Sequence, residues 1–474
     1  MRPSSDTRDR NTRVLKGEKR GCESSMVTFL EWNPVIQTAL LFFIFLSLNK
    51  NFLVKTGKFA KVFIRRSLVV IVYHLAKLFP RDKQLIVFGA ENGNGFRGNP
   101  KYLFLEAIEE DGLRCVWVLK NKRAVKRVRQ LGYEAYYYHS LKGIFMQLRA
   151  KTFIHSHSIH DDFNRMLLGG ATSINTWHGV GLKKVWGANK RTFTYKAMHE
   201  PKRLKRFFNM RVVHTQTAKN NYVISTSERV SSYYPETFLV SPKNVLQMGQ
   251  ARNDVFFYES DEEKEFPEYI KREKIITYMP THRNHGKKDT DINDVLDFKA
   301  IDAFCETYGY KFLVKRHMYS NGHVSKLLKH VIDVSHDNLD PQLLLKYTDI
   351  LITDYSSCYT DYLLLDRPVV FYCYDLEKYL KTSNEMYYEY DEVTPGPHVR
   401  EFEELLQTLT DFASGIDDYK DERERVLNIF YAKENQGRVA KKQWAYLRDN
   451  IIANGGNNRV MNKPEKDNVS SLTG

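Results

Sequence analysis

Along most of this chain, short apolar runs alternate with longer stretches in which apolar and polar positions are mixed at helical spacing. Leu85–Gly89, Cys115–Leu119, Glu134–Tyr138, Thr152–His155 and Thr172–Thr176 are runs of the first kind. Val212–His214, Tyr222–Ile224, Asn244–Met248, Ile275–Met279, Lys311–Lys315, Val331–Val334, Ile350–Thr353 and Val369–Tyr374 continue the series. Short, nearly continuous apolar runs are what strands covered on both faces require. Their alternation with helical segments predicts an α/β chain of doubly wound parallel sheets. One helix is predicted where Val399, Phe402, Leu405, Leu406 and Leu409 share a face. The stretch Ser225–Lys243, rich in serine and carrying two prolines, reads as the crossing between two domains. The expected boundaries are 1–25 for a polar, basic N-terminus without fold, 26–83 for membrane-associating helices, 84–240 and 241–453 for the two domains, and 454–474 for a polar tail.

The N-terminal region breaks the strand rhythm. Val35–Leu48 is almost wholly apolar, but a spanning helix needs about 20 such residues. It also lacks the small-residue cleavage site of a secretory signal. Phe59–Phe79 interleaves apolar blocks with Lys61, Arg65, Arg66 and Lys77. A basic amphipathic helix of this kind suits the headgroup plane of an anionic membrane lipid, and a core helix with a snorkelling edge is the competing reading. Membrane attachment is therefore expected to depend on residues 33–79, as a peripheral or N-terminally anchored protein.

Charge strengthens that expectation. Lys plus Arg 72 against Asp plus Glu 57 leaves +15, a balance that favours nucleotide diphosphates, phospholipid headgroups or nucleic acid. No RNA-recognition signature or zinc spacing is present, so nucleic acid is not the expected partner. The five cysteines form no C-x-x-C pair, which argues against a zinc site or a disulfide framework.

The candidate chemistry lies in loops that follow predicted strands. Asp354, Ser356 and Ser357 stand between Ile350–Thr353 and a predicted helix. Such a turn is equally an ordinary helix N-cap and a phosphate site supplied with hydroxyl donors. Gly93, Gly95 and Gly98 do not match the dinucleotide fingerprint. The histidines of HSHSIHDD (155–162) match no metal-ligand spacing, and no metal site is assigned. His178 ends the strand Thr172–Thr176 between small neighbours, with Lys183 and Lys184 following. It suits a base that meets a hydroxyl beside phosphates, or a structural histidine beneath Trp177. Arg283, Lys315, Arg316, His317, Ser356 and Ser357 all fall at carboxyl ends of predicted strands of one sheet. Such loops converge on a crevice where cations and hydroxyls clamp a diphosphate.

Several motifs occur together and in order: NTWHG with Lys183-Lys184, GQARND, YMPTHR, KRH, TDYSS, RPVVFYCYDLEKY and DEVTPGP (391–397). Across residues 80–410 the set resembles the CDP-glycerol glycerophosphotransferase family, the teichoic-acid primases and polymerases of bacteria. The resemblance implies the glycosyltransferase-B architecture of two Rossmann-like domains and a peripheral enzyme on the cytoplasmic face of the cell membrane. It implies transfer of glycerol phosphate or ribitol phosphate from CDP-glycerol or CDP-ribitol to an undecaprenyl-linked acceptor, with release of CMP. His178 then corresponds to the essential general base and His317 to a second essential histidine at the diphosphate. Arg283, Lys315, Ser356, Ser357, Asp354, Arg252 and Lys183 form the expected substrate-binding set. No cofactor is required by the sequence, and a divalent cation is compatible with the chemistry. Val180-Gly181 where the family commonly has Thr-Pro, Met318 for a proline and His282 for an aromatic leave the polyol and the acceptor open. The rival enzymatic reading is a glycosyltransferase-B enzyme using a nucleotide sugar; a non-enzymatic membrane or nucleic-acid adaptor is the other.

Overall fold

The structure is a computed structural model that describes residues 58–216, 221–281, 291–316, 324–337, 339–382 and 385–454. Thirteen strands form two parallel sheets among these residues. The first contains β1 (Asp82–Gly89), β2 (Arg114–Leu119), β3 (Ala135–Tyr137), β4 (Ala150–His155), β5 (Thr172–Asn175), β6 (Asn221–Ser225) and β7 (Val245–Gln247), in the order β3-β2-β1-β4-β5-β6-β7. The second contains β8 (Lys274–Tyr278), β9 (Tyr310–Val314), β10 (Val331–Asp333), β11 (Ile350–Thr353), β12 (Val369–Tyr372) and β13 (His398–Val399), in the order β10-β9-β8-β11-β12-β13. Central strands such as β5, β11 and β12 are buried at every position. That is why they read as unbroken apolar runs. The helices that bear on the site are α1 (Lys58–Ala76), α2 (Gly98–Ala107), α3 (Arg203–His214), α4 (Glu228–Phe238), α5 (Cys358–Tyr362), α6 (Lys420–Phe430) and α7 (Ala440–Leu447).

Two expectations about organisation need correction. Val245–Gln247 does not open the second domain at residue 241; it pairs with β6 as the last strand of the first sheet. The run Val212–His214 is the end of helix α3, not a strand: Val212 and Val213 are buried because they lie on its inward face.

The chain then returns. After the second sheet, α6 and α7 pack back onto the first half. Thr226 Oγ1 donates to the carbonyl of Phe430 and Ser227 Oγ to that of Ile429. Asp254 accepts from the amides of Val439 (2.7 Å) and Ala440 (2.9 Å). A carboxylate there satisfies the first free N–H groups of α7 and matches its dipole. α7 also lies against α2, with Arg448 paired to Glu110 just beyond it.

At the centre of this junction lies a completely buried carboxylate, Asp361 of α5. It is ion-paired with Arg252. Its oxygens also accept from Asn253 Nδ2 (2.9 Å), Gln342 Nε2 (3.1 Å) and the Tyr431 hydroxyl (2.5 Å). Arg252 and Asn253 follow the first sheet, Gln342 and Asp361 belong to the second, and Tyr431 follows α6.

Helix α1 divides along its length. Leu68, Val69, Val72, Tyr73 and Ala76 are buried, while Val62, Phe63 and Ile71 are exposed. Val72 and Ala76 join one apolar cluster with Val87, Val116 and Phe153 of the first sheet. The core-helix reading therefore holds for the second half of α1, and removing residues 33–79 would strip the first sheet of its cover. Among the described residues no helix is long and apolar enough to cross a membrane. Val35–Leu48 lies outside the described residues.

Asp361→Ala is expected to lower the unfolding free energy by about 3–5 kcal/mol, because it strands the Arg252 charge in a buried site. Tyr431→Phe removes one hydrogen bond to a charged acceptor and is expected to cost about 1.5–3 kcal/mol. Urea unfolding of the three proteins checks both; equal midpoints for Asp361→Ala and the parent would show that the junction does not rest on this carboxylate.

Candidate functional site

His178 is presented by a turn with unusual backbone geometry. β5 ends at Asn175, whose Oδ1 accepts the Trp177 amide at 2.9 Å. From α2, Asn99 Nδ2 donates to the carbonyls of Thr176 (3.2 Å) and Trp177 (2.9 Å). Trp177 is held at φ +53° and Gly179 at φ +135°. Gly179 is required twice over. An L side chain avoids that φ, and an ideal Cβ would stand 2.8 Å from Arg252 Nη2.

The His178 ring lies flat on His157, with centroids 4.2 Å apart and planes 11° from parallel. Its Nδ1–H donates to the carbonyl of Ser156 at 3.0 Å. A carbonyl only accepts, so the neutral ring carries its hydrogen on Nδ1 and keeps the Nε2 lone pair for another partner. Burial, with His157 and Arg252 beside it, holds the His178 pKa down at about 3. The ring centroid is also 4.0 Å from that of Trp177. Both readings made from sequence, exposed base and structural partner of Trp177, thus have a geometric counterpart.

The HSHSIHDD segment builds the support for this ring. Asp162 Oδ2 accepts the amides of Ser156 (3.1 Å) and His157 (2.9 Å), fixing the carbonyl that orients His178. His155 is buried between the His157 carbonyl (2.9 Å from Nδ1) and the Ser173 hydroxyl (2.8 Å from Nε2). Burial lowers its pKa to about 4. Burial raises that of Asp162 to about 6. Among the described residues no group of three or more His, Cys, Asp or Glu is placed to hold a metal ion.

His178 faces the second half across a cleft of about 160 Å³, lined by Gly179, Lys183, Tyr234, Tyr355 and Ser357 among others. The two walls are stitched together. Lys184 N–H donates to the Glu385 carbonyl (2.7 Å) and Tyr387 N–H to the Leu182 carbonyl (2.8 Å). Ser357 makes no capping hydrogen bond. Its Oγ lies 3.6 Å from the ideal Cβ position of Gly179. Helix α5 is only five residues long, so hydroxyls rather than a long helix dipole define this turn.

The expected binding residues separate in the structure. His178, Lys183 and Ser357 line one cleft, and Ser356 sits beside them, its Oγ accepting the Cys358 amide at 3.4 Å. Arg252 lies against Gly179, with its charge matched by Asp361. Two of the expected residues are engaged by the protein's own backbone. Asp354 is completely buried, and its Oδ1 accepts the Thr281 amide (2.8 Å) and the Tyr355 amide, contacts that shape the TDYSS turn. The Lys315 ammonium is turned onto the carbonyls of Val334 (2.9 Å) and Asp337 (2.8 Å). Arg283 and His317 lie outside the described residues. Asp361, Asn99 and Asp162 were not singled out from sequence. The only signal for Asp361 is the second TDY of TDYSSCYTDY, a carboxylate among apolar helix positions.

The three histidines fix a pH dependence. His155, His157 and His178 bind protons more weakly when folded, whereas an unfolded imidazole titrates near about 6.5. Between about 4 and 6.5 the unfolded chain therefore holds more protons, and stability is expected to rise with pH. Asp162, raised to about 6, opposes this with a single proton. His155→Gln should flatten the slope of unfolding free energy against pH by up to about 1.4 kcal/mol per unit in that window. Denaturant titrations at pH 4.5, 5.5 and 6.5 measure it, and an unchanged slope would refute the neutral buried His155.

A model of the family described as CDP-Glycerol:Poly(glycerophosphate) glycerophosphotransferase matches residues 71–444. The chain is 28% identical over 375 residues to a teichoic acid poly(ribitol-phosphate) polymerase of Bacillus spizizenii, covering 75% of this chain and 56% of that protein. It is 28% identical over 371 residues to a teichoic acid poly(glycerol phosphate) polymerase of the same organism, covering 73% of this chain and 88% of that one. Among solved structures, the wall teichoic acid polymerase TagF matches with a TM-score of 0.65 at 22% identity, over 83% of this chain and 95% of that chain. A variant of the same polymerase soaked with CDPG matches with a TM-score of 0.64 over the same shares.

Proposed function

The chain belongs to the CDP-glycerol:poly(glycerophosphate) glycerophosphotransferase family, and from that premise we propose that it transfers glycerol phosphate or ribitol phosphate from a CDP-polyol to an acceptor hydroxyl, releasing CMP, in synthesis of a teichoic-acid-like polymer. The observation that carries this reading is the unprotonated Nε2 implied for His178, facing across one cleft the half that bears the Ser357 hydroxyl. The acceptor hydroxyl gives its proton to Nε2 while its oxygen attacks the phosphorus that bears the polyol, and CMP departs with the bridging oxygen. A ring with a pKa near 3 is a weak base in the empty cleft. A bound diphosphate adds negative charge beside it and raises its basicity. Phosphoryl transfer through a loose transition state depends more on positioning and charge neutralisation than on base strength. Lys183 and the hydroxyls of Ser356 and Ser357 supply part of that neutralisation. Arg283 and His317, which follow β8 and β9 in the sequence, are assigned to the donor diphosphate, and the two parallel sheets suit the glycosyltransferase-B arrangement.

The acceptor is assigned as undecaprenyl-linked, and the enzyme to the cytoplasmic face of the cell membrane. What supports this is the exposed apolar surface of α1 (Val62, Phe63) and of α3 (Leu204, Phe207, Phe208) among basic residues. Residues 26–57 contribute to attachment in the same reading. Truncation ahead of residue 58 keeps the buried half of α1 and should weaken sedimentation with anionic liposomes while leaving the melting temperature unchanged. Undiminished pelleting of the truncated protein would remove these residues from the attachment site.

CMP release with CDP-glycerol, CDP-ribitol and UDP-sugars over a lipid-linked acceptor tests the reaction; release of UDP alone would establish the nucleotide-sugar alternative. His178→Ala is expected to lower turnover by on the order of 10²–10⁴ with donor affinity retained, and His178→Asn to do no better, because an amide cannot take the proton. His317→Ala or Arg283→Ala should instead weaken CDP-polyol binding about ten- to a hundredfold. Turnover surviving in folded His178→Ala protein would exclude this histidine as the base.

A further inference from the structure

Outside the cleft, the described residues form a second concave site of about 440 Å³ where α1, α3 and the β6–β7 edge meet. Its wall carries His74, Lys77, Arg211 and His214, and none of the residues lining it is acidic. Burial first, and then the Lys77 and Arg211 charges beside them, lower the pKa of His74 and of His214. The floor holds Asn221, 8% exposed, whose Oδ1 has no hydrogen-bond partner. A buried amide oxygen left unmatched is costly, and a ligand hydroxyl would satisfy it. The groove thus offers two cations for one anionic group and an acceptor for one hydroxyl.

The helices that frame the groove show the same progression. On α3, Leu204, Phe207, Phe208, Arg211 and His214 are spaced to share one face. The three apolar residues are 70%, 51% and 53% exposed, and the Arg211 guanidinium sits 4.9 Å above the Phe207 ring. On α1, exposed Val62, Phe63 and Ile71 give way to His74 and then Lys77. Both helices therefore lead from exposed apolar residues to cations that meet in the groove. A ligand with an acyl end, an anionic phosphodiester and a polyol hydroxyl matches that order. We propose that this groove binds the polyol phosphodiester headgroup of an anionic phospholipid, seating the first half of the enzyme on the membrane. The inference rests on the membrane attachment assigned above and adds to it a defined headgroup site.

The test uses the full chain with vesicles of phosphatidylglycerol in phosphatidylcholine and of phosphatidylcholine alone. Lys77→Ala/Arg211→Ala should bind the anionic vesicles about thirtyfold more weakly, from two lost cation–headgroup contacts. Binding to phosphatidylcholine and the melting temperature should stay at parental values. Phe207→Ser/Phe208→Ser should weaken binding to both vesicles. Soluble glycerophosphoglycerol, titrated without vesicles, separates the two sources of a polyol phosphodiester. Tight binding of that soluble probe, lost in the double cation variant, would overturn the lipid as source. A double variant that binds anionic vesicles like the parent but melts lower would show that these cations only stabilise helix ends, and would overturn the inference while leaving membrane attachment intact. A parent that binds neither vesicle would overturn attachment itself.

Discussion

Asp361 is a carboxylate taken entirely out of water, and a charge so placed is tolerated only when every lone pair finds a donor. Its donors are drawn from the end of the first half, from the second half and from the returning C-terminal segment. The pairing holds the Arg252 guanidinium against Gly179, where any side chain would collide with it. The His178 turn of one half and the Ser357 turn of the other are thereby fixed at the mouth of one cleft. The architecture of the cleft follows from how this single charge is matched.

The His178 side of the cleft is arranged to keep imidazoles uncharged. His155 at the end of β4, His157 just after it and His178 after β5 are stacked or buried together, each pushed toward its neutral form by desolvation. A protonated ring here would face Arg252 and cost electrostatic energy as well as burial. Neutrality also leaves the carbonyl of Ser156 to choose the tautomer, which puts the reactive lone pair on the far nitrogen. In the proposed reaction this uncharged ring takes the proton, and the cations that meet phosphate are other side chains. They come from the Lys183 segment and, in the proposed donor site, from the loops after β8 and β9.

Much of this was legible in the sequence, for a physical reason. Strands buried on both faces leave runs such as Ile350–Thr353 and Val369–Tyr372 that nothing else explains. His178 stood out because Gly179 and Gly181 flank it. The failures share a cause as well. Val212–His214 has the composition of a strand, but its two valines are the inward face of α3. In the same way, nothing near Asp354 or Lys315 in the chain shows that the Thr281 amide and the Val334 and Asp337 carbonyls will meet them. Local sequence cannot show which backbone groups a polar side chain will meet. Asp361 and Asn99 were missed because their partners lie far along the chain, and no local pattern marks a contact between Asp361 and Tyr431. Asp162 bonds amides only five and six residues back, through a turn that its spacing does not announce.

One helix joins the cleft and the cationic groove. Tyr233, Tyr234, Thr237 and Phe238 of α4 line the cleft that holds His178. Leu239 and Val240, directly after it, line the cationic groove. Leu239 closes the helix in a left-handed conformation, φ 52°, with its amide donating to the Pro235 carbonyl. The packing of α4 is therefore shared by both sites, and neither is free to shift without the other. If the groove seats on lipid headgroups, the membrane surface and the base are registered to one another by a single rigid element. An acceptor carried on a lipid then arrives at His178 from a fixed direction, and the second half has only to bring the donor phosphate to it.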